Sequence, residues 1–216
     1  MKKATELITP EKALTGRQTA LPMSNRHFVL GTPISETFPD KYASIIFGLG
    51  CFWGSEKLFW SIKGIYTTAV GYAGGYTPNP GYEEVCSGQT GHTEVVLLVY
   101  EPATVTLDEL LTTFWQEHDP TQGMRQGNDI GTQYRSCIYT NSQEDYDNAI
   151  LSKEKYQEHL HHSGFPDITT EITINKTFYY AEDYHQQYLG KNPSGYCDLW
   201  GTGVDFPMHE TDSTNP

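Results

Sequence analysis

A single cysteine between two aromatic residues and two glycines is the first candidate for chemistry. Cys51 lies in Gly50-Cys51-Phe52-Trp53-Gly54, after an apolar run that predicts a strand and before apolar residues with helical spacing. This places Cys51 at the first turn of a helix, where unpaired N–H groups and the helix dipole favour an anion. The position therefore predicts a stabilised thiolate, the reactive form of cysteine. The two glycines leave room for a small substrate close to the backbone.

The number and spacing of the cysteines limit what that thiol can do. The chain has four, at positions 51, 86, 137 and 197, and none of them form the closely spaced pair of a zinc site or a thioredoxin-like motif. We find no signal peptide pattern, so a structural disulfide framework is not expected. The remaining possibilities are buried thiols, which is the usual fate of a free cysteine, a reactive thiol, or a catalytic pair that the fold brings together.

Composition argues against several classes of function. The 216 residues carry a formal net charge of -13, which disfavours nucleic acid or an anionic membrane surface as a partner. The sequence has no apolar run of about 18 residues or more, so we expect no membrane span. Together with the missing signal peptide pattern, this predicts a cytoplasmic protein.

Apolar periodicity predicts the elements that position Cys51. Strands are predicted at 42–48, 65–72, 93–100, 134–139 and 168–174, and helices at 53–63, 107–118, 143–161 and 181–189. A helical turn is predicted at 82–86, and a glycine-rich loop at 119–131. The order matches an α+β fold of the ferredoxin-like type, in which a split β-α-β unit layers helices on one mixed sheet.

The length fits one domain with a sizeable core. We predict a single catalytic domain over residues 1–216, with long coil segments at both termini. It comprises an extended, proline-containing N-terminal arm over 1–40, an α/β core over 42–189, and a mobile glycine-rich C-terminal tail over 190–216. The arm is expected to hold at most one short helix, near residues 10–14.

Several blocks, in order along the chain, resemble the motifs of one enzyme family. Besides the cysteine block they are Gly71 to Gly75, Tyr82 to Gly88, Gly91 to Glu94, His118 to Gln122, Asp129 to Ser136 and Ala181 to Gln186. Together they resemble the A-type peptide methionine sulfoxide reductases, from about residue 40 to about residue 200. The resemblance implies the ferredoxin-like core and reduction of the S epimer of methionine sulfoxide, free or in oxidised proteins that are thereby repaired. It also implies thioredoxin as external reductant, with no prosthetic cofactor or metal, and we expect a monomer.

The chemistry of that reaction gives the matching residues their roles. A sulfoxide sulfur is a weak electrophile, so thiolate attack needs a proton or strong hydrogen bonds at the sulfoxide oxygen. Cys51 supplies the thiolate, and Glu94 matches the acid of the family, for which burial has to raise the pKa. The resemblance also implies that Tyr82 and Tyr134 are hydroxyl donors and that the Asp129 carboxylate helps to position the substrate. It implies that Phe52 and Trp53 form the walls of a pocket for the methyl group of the substrate.

Recycling needs a second thiol. After oxygen transfer Cys51 would be a sulfenic acid, which a second thiol condenses to a disulfide. The candidate is Cys197, in the glycine-rich tail. Some family members carry a further cysteine eight residues on, where this chain has Asp205, so we predict a two-cysteine cycle. Cys86 has no chemistry assigned in its block, and Cys137 alternates within a strand, which favours a core thiol.

Two other classes of function fit parts of the same sequence. A cysteine hydrolase would pair Cys51 with His92 or His185 and form an acyl-enzyme, although no spacing in the sequence supports such a pair. For both histidines a structural role is favoured. A binding module would use Phe52, Trp53 and tyrosines as an aromatic pocket for methylated ligands. The substitution Cys51→Ser would abolish an enzyme and leave a binder intact.

Overall fold

A mixed β-sheet forms the centre of the fold. The structure is a computed structural model that describes residues 4–35, 37–196 and 199–207. Its strands are β1 (Ala43–Gly48), β2 (Ile65–Ala73), β3 (Thr93–Tyr100), β4 (Arg125–Gln126), β5 (Asp129–Ile130), β6 (Cys137–Thr140), β7 (Glu171–Ile174) and β8 (Tyr179–Tyr180). Its helices are α1 (Phe52–Trp60), α2 (Tyr82–Cys86), α3 (Leu107–Gln116), α4 (Gln143–His162) and α5 (Tyr188–Lys191), with short 3-10 helices at Pro10–Lys12 and Thr132–Tyr134.

Strand order determines which distant residues meet. Six strands pair in the order β7-β6-β1-β3-β2-β8, and β4 and β5 form a separate hairpin. Strand β3 is antiparallel to both β1 and β2, β6 is antiparallel to β1, and β6 and β7 are parallel. Phe47 near the end of β1 pairs with Val96 near the start of β3. Leu49, directly after β1, and Glu94, directly before Val95, therefore lie at the same end of the sheet.

The main apolar core lies between this sheet and the helices. Phe47, Phe59, Leu98, Phe114 and Trp115 are all essentially inaccessible to solvent and belong to one cluster. Helices α3 and α4 both contribute side chains to this cluster and contact each other. At their contact the Trp115 indole N–H donates to Ser152 Oγ at 2.9 Å. The result is an α+β domain with its helices packed against a mixed sheet. No helix in the described ranges is long and apolar enough to cross a membrane.

Most predicted elements are present, with shifted ends. The turn at 82–86 and the strand at 93–100 have the predicted bounds, and the arm holds its one short helix at Pro10–Lys12. The strand predicted at 168–174 begins only at Glu171, and the glycine-rich loop contains the β4–β5 hairpin. Strand β8 was not predicted.

Two predictions near the site were wrong. Residues 134–139 are not one strand, because the Gly131 carbonyl accepts from Tyr134 N at 3.0 Å and closes a 3-10 turn before β6 begins. Residues 181–189 are not a helix. The Gln186 side chain bonds both backbone groups of Val70 on β2, at 3.0 and 2.9 Å, and Gln187 adopts a left-handed φ of 47°. These long-range bonds replace helical ones, so α5 begins only at Tyr188.

Candidate active site

Cys51 lies at the junction between β1 and α1. Gly50 has a φ of 101°, and a Cβ there would come within 2.7 Å of Gln126 Cβ, so the turn requires glycine. Cys51 is the N-cap residue of α1, and its carbonyl accepts from Ser55 N at 3.4 Å and Ser55 Oγ at 3.1 Å. The helix therefore begins directly beside the sulfur, as the sequence predicted.

Glu94 is buried next to this helix start. Its side chain is only 2% exposed, and its Oε2 accepts a hydrogen bond from Phe52 N at 3.1 Å. Burial raises the Glu94 pKa to about 8, the Phe52 N–H lowers it, and the charge of Asp129 raises it further. Glu94 is therefore mainly a neutral carboxylic acid at pH 7, which is the protonation state that a proton donor needs.

The ionisation of Cys51 differs from the sequence prediction. The backbone N–H groups of Trp53 and Gly54 do lower its pKa, as the helix-start argument requires. Burial is the largest effect. Together with the charge of Glu94, where that carboxyl is ionised, and the charge of Asp129, it raises the Cys51 pKa well above its ordinary value. The predicted resting thiolate is wrong for this structure, in which Cys51 is a thiol.

Two tyrosine hydroxyls belong to the same cluster. Tyr82 is the first residue of α2, and Tyr134 ends the 3-10 helix that precedes β6. Burial, followed by nearby acidic groups that include Glu94, raises the pKa of both phenols above the ordinary value. Both are neutral at physiological pH and can each donate one hydrogen bond.

Two aromatic residues form the apolar side of the site. Phe52 is buried against Tyr72 and His185, with ring centroids 5.8 and 5.0 Å apart. The Trp53 indole stacks on Tyr188, with centroids 3.8 Å apart, and its N–H donates to His185 Nδ1 at 3.0 Å. Burial lowers the pKa of His185 to about 4, so this ring is neutral and accepts the bond. The orientation of Trp53 is thus fixed from two sides.

These side chains enclose one cavity of about 270 Å³. Its lining comprises Cys51, Phe52, Trp53, Tyr82, Glu94, Asp129, Tyr134 and Tyr196. Every predicted site residue within the described ranges is therefore in one place. A larger cavity of about 660 Å³ lies between α3 and α4, but its lining residues include no cysteine, histidine or tyrosine. Of these two cavities in the described ranges, the smaller one brings together a thiol, a neutral acid, hydroxyl donors and apolar walls.

Comparison with known proteins decides which family this site belongs to. Residues 43–208 match the family model described as peptide methionine sulfoxide reductase. The chain belongs to the peptide methionine sulfoxide reductase family. A relative from Brucella anthropi, named peptide methionine sulfoxide reductase MsrA, is 59% identical over 96% of this chain and 95% of its own length. The family is one of oxidoreductases that act on methionine sulfoxide, so the chain is an enzyme, as the sequence predicted.

Solved structures agree with this membership. Methionine sulfoxide reductase A of Corynebacterium diphtheriae superposes with a TM-score of 0.84 at 46% identity, covering 94% of this chain and all of that one. Mxr1 of Saccharomyces cerevisiae in complex with Trx2 matches with a TM-score of 0.52 at 25% identity, covering 77% of this chain and 94% of that one.

Several residues of the cavity make contacts that the sequence did not predict. Tyr196 lines the cavity, and its hydroxyl lies 3.5 Å from Asp129 Oδ2. Tyr188 and His185 hold Trp53, and Glu182 accepts from Tyr82 N at 2.8 Å. The block Ala181 to Gln186 signalled His185 and Glu182, whereas no sequence pattern singled out Tyr188 or Tyr196. Cys197 lies outside the described residues.

The remaining histidines and cysteines have structural surroundings. His92 accepts from Gly75 N through Nδ1 at 3.1 Å, and its Nε2 is 2.7 Å from the Thr77 carbonyl. Within the described part of the chain no histidine is hydrogen-bonded to Cys51, so nothing there supports a cysteine hydrolase. Cys137 is fully buried, which raises its pKa to about 12. Cys86 lies beside the Tyr82 side chain, and burial raises its pKa while Tyr82 lowers it. No cluster of three or more acidic, histidine or cysteine side chains in the described ranges could hold a metal ion.

Proposed function

We propose that the enzyme reduces the S epimer of methionine sulfoxide, free or in oxidised proteins, with Cys51 as the nucleophile and Glu94 as the acid. One observation carries this proposal: the Cys51 thiol and the buried, neutral Glu94 carboxyl face the same small cavity. A sulfoxide is reduced by a thiol only if its oxygen receives a proton as the sulfur is attacked. The cavity supplies both groups.

The first step transfers one oxygen atom. The Cys51 sulfur attacks the sulfoxide sulfur while Glu94 protonates the sulfoxide oxygen, and the proton of the thiol restores the Glu94 carboxyl. The S–O bond of the substrate then breaks as the hydroxyl moves to the Cys51 sulfur. The S–S bond formed by the attack breaks in the same step, its electron pair stays on the substrate sulfur, and methionine leaves. Cys51 is oxidised by two electrons to a sulfenic acid, and the substrate sulfur is reduced by two. No net proton is consumed.

The chemistry of the lining residues supports the choice of epimer. Phe52 and Trp53 offer apolar surface for the methyl group of the substrate, and Tyr82 and Tyr134 offer hydroxyl donors for its oxygen. A sulfur that holds its methyl on one wall and its oxygen on the other fits in one configuration. Asp129 and Tyr196 lie at the same cavity, where we propose that Asp129 helps to position the substrate.

Recycling is proposed to use Cys197. Its thiol condenses with the Cys51 sulfenic acid, which forms a disulfide and releases water. The position of Tyr196, directly before Cys197 in the sequence and in the lining of the cavity, supports this assignment. Asp205 stands where some relatives have a further cysteine, so a thioredoxin would reduce the Cys51–Cys197 bond directly. The complex of yeast Mxr1 with Trx2 supports a reductant of this class.

We further propose one catalytic domain made of the arm over 1–40, the core over 42–189 and the tail over 190–216. The strand order β6-β1-β3-β2, with β3 antiparallel to its neighbours, supports the ferredoxin-like split β-α-β description of the core. The protein is proposed to act as a monomer that repairs oxidised proteins. The cytoplasmic location stays a prediction.

The experiment is reduction of each purified epimer of methionine sulfoxide with dithiothreitol, followed by quantification of methionine. We expect the S epimer alone to be converted, and Cys51→Ser to remove that conversion entirely. Cys86→Ser is the matched control, because it replaces the other partly exposed cysteine of the described ranges and keeps a polar group beside Tyr82. Turnover by Cys51→Ser at the rate of that control would refute the proposal.

A further inference from the structure

We propose that Arg17, in the N-terminal arm, is a positioning residue for the Tyr82 hydroxyl. The proposal rests on the hydroxyl-donor role given to Tyr82 above. The arm lies outside the part of the chain that the family model matches, which begins at residue 43. Its contacts nevertheless converge on the segments that carry the two proposed donors of the site.

Arg17 bonds the turn and the helix on either side of Tyr82. Its Nη1 donates to the Asn79 carbonyl, and its Nη2 lies 2.9 Å from Glu84 Oε2. Asn79 has a left-handed φ of 46°, and its side-chain amide donates to the Arg17 carbonyl at 2.9 Å. The guanidinium fork thus joins Asn79, two residues before Gly81, to the first turn of α2.

The Glu84 carboxylate that Arg17 contacts also bonds the N-cap residue of helix α2. Glu84 Oε2 also accepts from Gly81 N at 2.7 Å and so fixes the residue directly before Tyr82. Helix α2 is only five residues long, and a helix of this length does not persist through its own hydrogen bonds. Its orientation therefore depends on contacts from outside, of which Arg17 and the Glu182 bond to Tyr82 N are two.

The same arm reaches the second hydroxyl donor. The Ala4 carbonyl accepts from Thr132 N at 2.9 Å, at the start of the three-residue 3-10 helix that ends in Tyr134. A Cβ on Gly88, just after α2, would come within 2.3 Å of Ala4 Cβ. Between these points the Leu14 amide donates to the Gln89 carbonyl at 2.9 Å. Residues 4–17 thus run across both short elements and bind each of them.

The Arg17–Glu84 ion pair is partly exposed, so the effect of Arg17 on the reaction rate can be distinguished from its effect on the stability of the fold. The side chains of Arg17 and Glu84 are 36% and 29% exposed, and ion pairs at such exposure contribute little to the stability of a fold. Loss of Arg17 should therefore change the thermal midpoint little and the chemical step much more, since displacing a catalytic group by about 1 Å can cost up to ~100-fold in rate.

The test is a double-mutant cycle on the full chain. We measure the single-turnover rate of methionine formation from the S sulfoxide for Arg17→Ala, Tyr82→Phe and the double variant. We expect Arg17→Ala to slow the step on the order of tenfold in the wild-type background and to have no further effect in the Tyr82→Phe background. Arg17→Lys, which keeps the charge and loses the fork, should give an intermediate rate.

Lys12→Ala is the matched control, since it removes one positive charge from an exposed arm residue and should leave the rate unchanged. The inference alone is overturned if Tyr82→Phe is slow and Arg17→Ala either has no effect or slows both backgrounds by the same factor. If Tyr82→Phe reacts like wild type, the donor role of Tyr82 fails, and the inference fails with it.

Discussion

The protonation of Glu94 gives the sharpest test of the chemistry. Burial raises its pKa from 4.5 to about 8. At pH 7 about nine tenths of the carboxyl is then protonated, compared with roughly 0.3% at the ordinary pKa, so burial increases the population of the acid about 300-fold. Between pH 7 and pH 9 the protonated fraction falls about tenfold. The first half-reaction of the wild type should therefore slow about tenfold over this range.

Glu94→Gln removes that titration. The amide still donates a hydrogen bond to the sulfoxide oxygen but cannot give up a proton, so the rate at pH 7 should fall by about 10²-fold to 10⁴-fold. What titrates next is the Cys51 thiol, whose ionisation increases with pH. The residual rate should therefore stay level or rise from pH 7 to pH 9, opposite to the wild type.

The assay is single-turnover formation of methionine at a series of pH values, with enzyme in excess over the S sulfoxide. Asp129→Asn provides a second arm of the experiment, because the Asp129 charge raises the Glu94 pKa. Without that charge the falling limb should move to lower pH. If Glu94→Gln retains the wild-type decline between pH 7 and pH 9, the titrating group is not Glu94, and its assignment as the acid is refuted.

Three further outcomes are expected. Glu94→Gln should unfold at a higher urea concentration than the wild type at pH 9 and show little difference at pH 4. The reason is that the raised pKa of Glu94 in the folded state lowers the wild-type stability as the pH rises from 4.5 toward 8. The upper bound on this loss of unfolding free energy is on the order of 5 kcal/mol. Cys197→Ser should form one equivalent of methionine and then stall with thioredoxin while still turning over with dithiothreitol; full thioredoxin-driven turnover would contradict the two-cysteine cycle. His185→Phe leaves the Trp53 N–H without its acceptor and should raise the KM for the sulfoxide about tenfold, whereas His185→Asn should not, as steady-state kinetics at pH 7 would show.

Local patterns predicted the positions of Cys51 and Glu94 well because Cys51 follows one strongly apolar strand and Glu94 lies at the start of another. The strand that carries Glu94 has the predicted bounds, Thr93–Tyr100, since its period and β-branched residues agree. Their meeting depends on the pairing of β1 with β3, which no local pattern contains. It was the order of several family blocks that linked these two residues before the structure did.

The C-terminal part shows why other features could not be predicted. Ala181 to Leu189 has helical composition, but the Gln186 side chain finds its partners on Val70, in a strand more than a hundred residues earlier. Gln187 then takes a left-handed conformation, in which its backbone N–H and side-chain amide both bond the buried Glu56 carboxyl at 2.7 Å. Helix propensity depends only on the local sequence, so it cannot account for long-range hydrogen bonds of this kind, which override it.

The error in the predicted Cys51 ionisation bears on how the site works. The helix start does favour the thiolate, but the cavity places the sulfur beside two carboxyl groups and away from water, and these effects dominate. A resting thiolate would react with other oxidants and disulfides, whereas a thiol is far less nucleophilic. In the proposed mechanism the cysteine loses its proton as the sulfoxide oxygen takes one from Glu94, whose carboxyl is held by the N–H of the residue that follows Cys51. Ionisation of the nucleophile is thereby coupled to the presence of a basic oxygen in the cavity, and the two raised pKa values are what make that coupling effective.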